Sequence, residues 1–214
     1  MDICNLKGDF KITDLKQGVK NPDRVNVYVN DQFAFSLDVA QVVDLGVKKG
    51  LVISEDKLLE LKKASEFGKL YQRTLEWVLM RPHSERECRD YLKKKIFEKK
   101  LDKEYVDLII EKLRAKKYLD DYRFAEWYAE NRFYKKGVSL KRLKMELMKK
   151  GIAKDIIDEA LSKTSRNDEE EILKIIAKKR SRYSDDEKLI AYLCRQGFQY
   201  GLVQEMVARS SEMD

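Results

Sequence analysis

One segmental pattern occurs three times in this chain of 214 residues: a polar residue that can start a helix is followed four and eight positions later by apolar residues. The three copies are Ser84, Cys88, Leu92; then Ser139, Leu143, Leu147; then Asp185, Leu189, Leu193. In the second and third copies a glycine follows four positions later, Gly151 and Gly197, and the apolar spacing beyond it matches again. Repetition of this kind is typical of arrays of supersecondary units that bury their apolar faces against one another.

Each copy is preceded by a further apolar stripe of helical period, so each unit is predicted to contain three helices. Pro82 and Gly137 mark the breaks before the second helices of the first two units. No unit is large enough to bury its stripe alone, so neighbouring units must stack or share a core. The upstream helices are predicted over about 66–80, 121–134 and 168–180.

The second helices begin with capping signals. Ser84 and Glu87 form a capping box, in which each side chain is expected to bond the other residue's backbone amide. In the third unit Ser184 and Glu187 make the same pattern, one residue out of register with Asp185. The start of that helix therefore stays open between Ser184 and Asp185.

The first sixty residues show a period of two instead. Apolar residues alternate with polar ones over 25–29 and over 33–37, and Asn30-Asp31 lies between the two runs. This pattern predicts a β-hairpin. Residues 11–15 are a candidate third strand, and a helix is predicted to begin at Ser54 and to run through Leu61.

The predicted fold class is therefore mainly α, with three tandem three-helix repeats preceded by a small α+β N-terminal domain that contains a β-hairpin. The predicted domains are 1–62 for the N-terminal domain, 63–119 for the first repeat, 120–165 for the second and 166–214 for the third.

The net charge of +7 is unevenly distributed along the chain. Residues 61–119 hold 17 basic and 10 acidic side chains, and residues 120–165 hold 11 and 8. Residues 166–214 hold 9 basic and 10 acidic side chains, which argues against a direct phosphate-binding role for the third repeat. A local basic excess can concentrate polyanions near a surface, although lysine-rich helices are also often simply well solvated.

Motifs for catalysis, metal binding and membrane insertion are missing from the sequence. It contains neither GxxxxGK[ST] nor GxGxxG, and His83 is the only histidine, which excludes a two-histidine zinc site. His83 is expected to pack over the first turn of the helix that Ser84 caps. The well-separated Cys4, Cys88 and Cys194 indicate reduced thiols in a cytoplasmic protein. We predict no enzyme activity, no cofactor, no metal, no membrane span and a monomeric state.

Two features point to binding. Basic residues cluster around the second helices and their flanks, and aromatic residues alternate with arginines around the middle upstream helix. Trp127 and Tyr134 fall off the apolar stripe of that helix and are expected to be exposed contact residues, while most other aromatics are expected to pack in the core.

Four motifs in this order resemble the RecX family of bacterial recombination regulators, which act on RecA. They are Arg81-Pro82-His83-Ser84 with Glu87, Tyr118-Leu119-Asp120-Asp121 with Arg123-Phe124, Lys149-Lys150-Gly151-Ile152, and Tyr192-Leu193 with Arg195-Gln196-Gly197-Phe198. They cover residues 66–207, and the N-terminal module looks like the extra domain of the longer family members.

The resemblance implies an elongated, curved array that binds along the groove of a RecA–DNA filament, with single- or double-stranded DNA inside it, and suppresses ATP hydrolysis and strand exchange. The predicted filament- or DNA-binding residues are Arg81, Lys93, Lys94, Lys95, Arg123, Trp127, Arg132, Lys135, Lys136, Arg142, Lys149, Lys150 and Arg195. An alternative is a stand-alone DNA-binding protein built from helix-turn-helix-like units. Another is a scaffold whose basic helices only solvate its surface.

Overall fold

The computed structural model describes residues 10–19, 21–183 and 185–212, so Cys4 and Ser184 lie outside the described residues. The chain forms two compact units, one of residues 1–77 with 94–109 and the other of residues 78–93 with 110–214. The predicted class is confirmed, because the described chain is mostly helical and begins with an antiparallel sheet.

The first unit is built on a four-stranded sheet. Strands β1 (Phe10–Gln17), β2 (Arg24–Val29), β3 (Gln32–Asp38) and β4 (Val52–Ile53) lie in the order β3-β2-β1-β4, and helix α1 (Val39–Asp44) follows β3. The predicted hairpin and third strand are confirmed as β2, β3 and β1. Asn30 and Asp31 both have positive φ, 48° and 63°, which suits the tight turn of a two-residue hairpin. Strand β4 was not predicted, because two residues are too few to show alternation.

Helix α2 (Glu55–Leu79) is a single helix of 25 residues. The sequence had indicated two helices here, one ending near Leu61 and one beginning near residue 66, and that prediction is wrong. No proline lies between them, and Gly68 inside the helix costs only about 1 kcal/mol, too little to break it. Leu58 and Leu61 from its first turns pack in the core of the sheet.

The remaining helices follow the predicted repeat. They are α3 (Glu85–Lys99) and α4 (Tyr105–Ala115); α5 (Asp121–Asn131), α6 (Leu140–Lys149) and α7 (Lys154–Lys163); and α8 (Asp168–Lys179), α9 (Asp186–Arg195) and α10 (Tyr200–Glu212). Helices α2, α3 and α4 contribute residues to both units. Asp185 is the N-cap of α9, since its carboxylate accepts a hydrogen bond from the amide of Glu187.

The repeated apolar positions are the core of the helical repeats. All six have no exposed surface, namely Cys88, Leu92, Leu143, Leu147, Leu189 and Leu193. Gly151 and Gly197 both adopt positive φ just after the second helices, at 83° and 99°, where a helix commonly ends in a left-handed residue. Helix α5 ends at Asn131, three residues earlier than predicted, and Phe133 beyond it has a φ of 49°.

Candidate functional site

A serine joins each of the first two repeats to the repeat that follows. The Ser84 hydroxyl accepts the amide of Glu87 at 3.1 Å and donates to the backbone carbonyl of Lys150 at 2.9 Å. The Ser139 hydroxyl does the same with the amide of Arg142 at 3.2 Å and the carbonyl of Gln196 at 2.7 Å. Lys150 and Gln196 are the C-cap residues of α6 and α9. Each serine therefore caps its own helix and holds the end of the second helix in the next repeat.

A second hydrogen bond recurs beside each serine. The amide of Glu85 donates to the Asp121 carboxylate at 2.8 Å, and the amide of Leu140 donates to the Asp168 carboxylate at 2.9 Å. Asp121 and Asp168 are the first residues of α5 and α8. Burial raises the pKa of both carboxyls. The two junctions are thus built from the same hydrogen bonds at the same repeat positions.

The connection between the second and third repeats is also held by a buried ion pair. Arg166 donates to Glu171 through Nε at 3.0 Å and Nη2 at 2.8 Å, and both side chains are almost fully buried. Arg166 also donates to the carbonyls of Ala129 and Arg132, and Glu171 accepts the amide of Val138. These contacts fix the linker between α7 and α8 to α5 and to α8.

A cavity of about 670 Å³ lies at the first of these junctions. It brings together five of the predicted binding residues, Arg81, Trp127, Arg132, Lys149 and Lys150. The other lining residues are Glu87, Tyr128, Asn131, Phe133 and Glu146.

Glu146 binds two arginines and a tyrosine in this cavity. It accepts hydrogen bonds from Arg132 Nε at 2.7 Å, from the Tyr128 hydroxyl at 2.6 Å and from Arg142 Nε at 3.1 Å. Burial alone would raise the pKa of Glu146, but these bonds outweigh it and lower the pKa to about 2. Burial and the bond to Glu146 raise the pKa of Tyr128 to about 12.

Glu87 also lines this cavity and binds basic side chains. The predicted capping box is half correct: the Ser84 hydroxyl accepts the Glu87 amide, but the Glu87 carboxylate does not accept the Ser84 amide. The carboxylate instead contacts His83 Nδ1 at 3.1 Å and Lys150 Nζ at 2.5 Å. Arg81 donates to it at 3.2 Å. Burial would raise the pKa of Glu87, but these partners lower it to about 2. His83 is buried at the start of α3, which confirms the predicted packing role.

Guanidinium groups cover the aromatic rings of the cavity. Trp127 is half-buried against the core of the second repeat, so the prediction that it is exposed is wrong. The Arg81 guanidinium lies 5.3 Å from the centroid of the Trp127 ring. The guanidiniums of Arg132 and Arg142 lie 3.6 Å and 5.6 Å from the Phe133 centroid. Tyr134 is 60% exposed, as predicted.

The other predicted binding residues are spread over several places. Lys136 and Arg142 line a second cavity, and Arg195 lines a depression with Arg142 and Lys149. Arg123 is exposed and lines a depression with Arg81. Lys93 and Lys94 are exposed on α3, and Lys95 pairs with Glu98 at 2.9 Å. Of these three lysines, Lys94 and Lys95 belong to the first compact unit. Lys135 is exposed, and its backbone carbonyl accepts a bond from Lys178.

Sequence reasoning missed the acidic partners at the junctions and two basic residues. Glu87 pairs with Lys150, 63 positions away, and Glu146 pairs with Arg132, 14 positions away, so no local pattern predicts these two pairs. Glu171 pairs with Arg166 only five positions before it, but the sequence does not show that both side chains are buried. Lys178 and Lys179 could have been predicted as cavity residues from the repeat itself. They occupy the positions at the end of α8 that Asn131 and Arg132 occupy at the end of α5. In the part of the chain that the structure describes, no group of three or more metal-binding side chains comes together, and no helix is long and apolar enough to cross a bilayer.

Two family models match the chain. They describe the RecX second three-helix domain, over residues 120–161, and the regulatory protein RecX N-terminal domain, over residues 10–54. The first match coincides with helices α5 to α7.

Whole-chain relatives and solved structures agree with these matches. The regulatory protein RecX of Clostridium acetobutylicum is 32% identical over 207 residues, covering 92% of this chain and 94% of the relative. The corresponding protein of Clostridium perfringens strain SM101 is 30% identical, covering 93% and 95%. A crystal structure of regulatory protein RecX matches with a TM-score of 0.72 at 25% identity over 94% of this chain and 99% of that one. RecX from Lactobacillus salivarius matches with a TM-score of 0.53 at 26% identity over 68% and 97%.

Proposed function

The chain belongs to the RecX family of regulatory proteins, and from this premise we propose that it binds in the groove of the RecA–DNA filament and inhibits RecA ATP hydrolysis and strand exchange. In this role it acts by binding rather than by catalysis, as a cytoplasmic monomer without metal or cofactor. The regulated processes are recombination and DNA repair, including the SOS response.

The observation that best supports this proposal is the first junction cavity. It gathers Arg81, Trp127, Arg132, Lys149 and Lys150, which come from different elements of the first two repeats, on one surface. Aromatic and arginine side chains at the centre of a surface are the residues that most often dominate protein–protein binding. A contact of this composition suits a protein partner.

The repetition of the junction supports a polymeric partner. Because the two junctions use the same hydrogen bonds, the geometry of the junction recurs from one repeat to the next. A helical filament offers the same surface on each subunit, and several modest contacts along it add as avidity.

Lys149 is the residue of choice for a test. It is exposed and, among the described residues, has no ion pair, whereas Lys150 is bound by Glu87 and its replacement would also disturb the junction. Lys149→Glu is expected to weaken inhibition of the DNA-dependent RecA ATPase at least several-fold, because it places a carboxylate where the cavity is basic. The measurement is an ATPase titration, with circular dichroism to confirm unchanged helix content.

Lys154→Glu is the matched control, since Lys154 is an exposed lysine at the start of α7 that does not line the cavity. Equal inhibition by Lys149→Glu and Lys154→Glu would remove the cavity from the contact surface. Wild-type chain that binds bare DNA tightly at two salt concentrations but leaves the ATPase unchanged would favour the stand-alone DNA-binding alternative.

A further inference from the structure

A second cavity, of about 380 Å³, lies at the junction of the second and third repeats. Its lining residues are Phe133, Lys136, Gly137, Arg142, Ile175, Lys178, Lys179, Tyr192 and Gln196. It is the repeat counterpart of the first cavity. The repeats can be aligned position by position. The upstream helices α5 and α8 are aligned on Asp121 and Asp168, and the second helices α3, α6 and α9 are aligned on Ser84, Ser139 and Asp185. In this alignment seven lining positions of the first cavity correspond to seven of the second. The pairs are Arg81 with Lys136, Glu87 with Arg142, Tyr128 with Ile175, Asn131 with Lys178, Arg132 with Lys179, Glu146 with Tyr192, and Lys150 with Gln196.

The two cavities differ in their charge balance. In the first, Glu87 and Glu146 form ion pairs with three of the four cationic lining residues, Arg81, Lys150 and Arg132. In the second, the corresponding residues are Arg142 and Tyr192, and no carboxylate is among the described lining residues. Arg142 is paired with Glu146, which lies outside this lining. Lys136, Lys178 and Lys179 form no ion pairs among the described residues, so their charge is uncompensated.

The near-zero net charge of the third repeat does not indicate a basic cavity, because acidic and basic residues cancel in the sum. Helix α8 carries Asp168, Glu169, Glu170 and Glu171 in its first turn and Lys178 and Lys179 in its last. The two groups are separated by most of the helix, about 1.5 Å per residue along its axis, so their charges cancel in a sum but not in space. Lys178 is exposed and Lys179 is half-exposed at this end.

We infer that this second cavity binds the phosphodiester backbone of nucleic acid, independently of the bases. The inference rests on the proposed function and assigns the nucleic acid of the filament to a specific site. Lysine ammonium groups are compact point charges that suit phosphate. When lysines without ion-pair partners bind a polyanion, they displace the counterions that are condensed on it.

The aromatic side chains of the cavity explain the independence from the bases. The guanidiniums of Arg132 and Arg142 lie over the Phe133 ring, and Tyr192 stacks on Tyr183 with 5.2 Å between centroids. These contacts occupy ring surface that would otherwise be offered to a base, and stacking on aromatic faces is the usual way to bind single-stranded bases. The remaining recognition is therefore electrostatic.

Gln196→Glu tests the site with little change of shape. The Gln196 side chain already accepts a hydrogen bond from Arg142, so a glutamate keeps that bond while it adds a negative charge to the cavity. We expect affinity for a fluorescein-labelled oligothymidylate, measured by fluorescence anisotropy without RecA, to fall on the order of tenfold, as for a lost phosphate contact. Gln204→Glu, an exposed position on α10, makes the same chemical change outside the cavity and should leave affinity unchanged.

The double variant Lys178→Gln and Lys179→Gln provides a second measurement. The slope of log affinity against log salt should become shallower by about one or more, because fewer counterions are released. An abasic oligonucleotide of equal length should bind the wild-type chain as tightly as the oligothymidylate. A marked preference for the strand that carries bases would overturn the independence from the bases.

RecA ATPase assays with the same variants separate this inference from the proposed function. Unchanged DNA affinity in both Gln196→Glu and the double lysine variant would overturn the phosphate site. If these variants also lose inhibition of the RecA ATPase, the cavity instead binds an acidic protein surface. If the wild-type chain fails to inhibit RecA while Gln196→Glu still loses DNA affinity, the proposed function fails and the phosphate site stands.

Discussion

Glu87 and Glu146 show how single residues set the charge of a basic surface. Each accepts hydrogen bonds from two cationic side chains, so Arg81, Lys150 and Arg132 present less free charge than the sequence indicates. Lys149, which is exposed, keeps its charge available. A count of lysines and arginines therefore overestimates the basic character of the first cavity and says nothing of which cations are free.

The same two carboxylates predict how stability depends on pH. Their pKa values lie near 2 in the folded chain, below the ordinary value of 4.5, so each stabilises the fold fully above the ordinary value. This contribution is lost as the pH falls from about 4.5 towards 2, because protonation breaks the ion pairs. We expect the urea midpoint of the wild-type chain to fall over this window, and the fall to be smaller in Glu146→Gln.

Glu205→Gln is the control for this measurement, since it removes an exposed carboxyl on α10 and should keep the wild-type pH dependence. An equally steep loss of stability in Glu146→Gln would mean that its ion pairs do not contribute to folding.

At the level of helices and strands, most of the fold could be predicted because local periodicity carries it. The hairpin was predicted from alternation around Asn30-Asp31, and the second helices from the spacing of their buried stripe. Strand β4 and the continuity of α2 could not be predicted, since a two-residue strand has no period and a helix without a breaker shows no internal border. The candidate site was only partly predictable, because the pairing of Lys150 with Glu87 joins residues that are 63 positions apart.

The buried stripe of α6 gives a direct test of the repeat register. Leu143 has no exposed surface, whereas Met145 on the same helix is 51% exposed. Leu143→Ala is expected to lower the free energy of unfolding by roughly 2–5 kcal/mol, from lost burial and the cavity left behind. Met145→Ala is the control and should cost below about 0.5 kcal/mol. Urea denaturation measures both, and similar costs for the two variants would contradict the register.

At the level of the whole molecule, a hydroxyl that both accepts and donates contributes to the coupling of the helical repeats. Ser84 and Ser139 have this role, while Asp185 stands at the same position in the third repeat and caps α9 with a carboxylate. A carboxylate accepts hydrogen bonds from helix amides as well as serine does but cannot donate to a carbonyl. The identity of the N-cap residue thus distinguishes a helix start that holds the next repeat from one that only begins its own helix.

Ser139→Asp separates these two roles. The variant keeps an N-cap for α6 but loses the donor to the Gln196 carbonyl and turns a buried carboxylate towards it. We expect a loss of about 1–3 kcal/mol in the free energy of unfolding, the cost of an unsatisfied buried polar group. Asn167→Asp is the matched control, because Asn167 is an exposed N-cap of α8 and the change keeps its cap. If both variants unfold at the wild-type urea concentration, the serine hydroxyl does not couple the second repeat to the third.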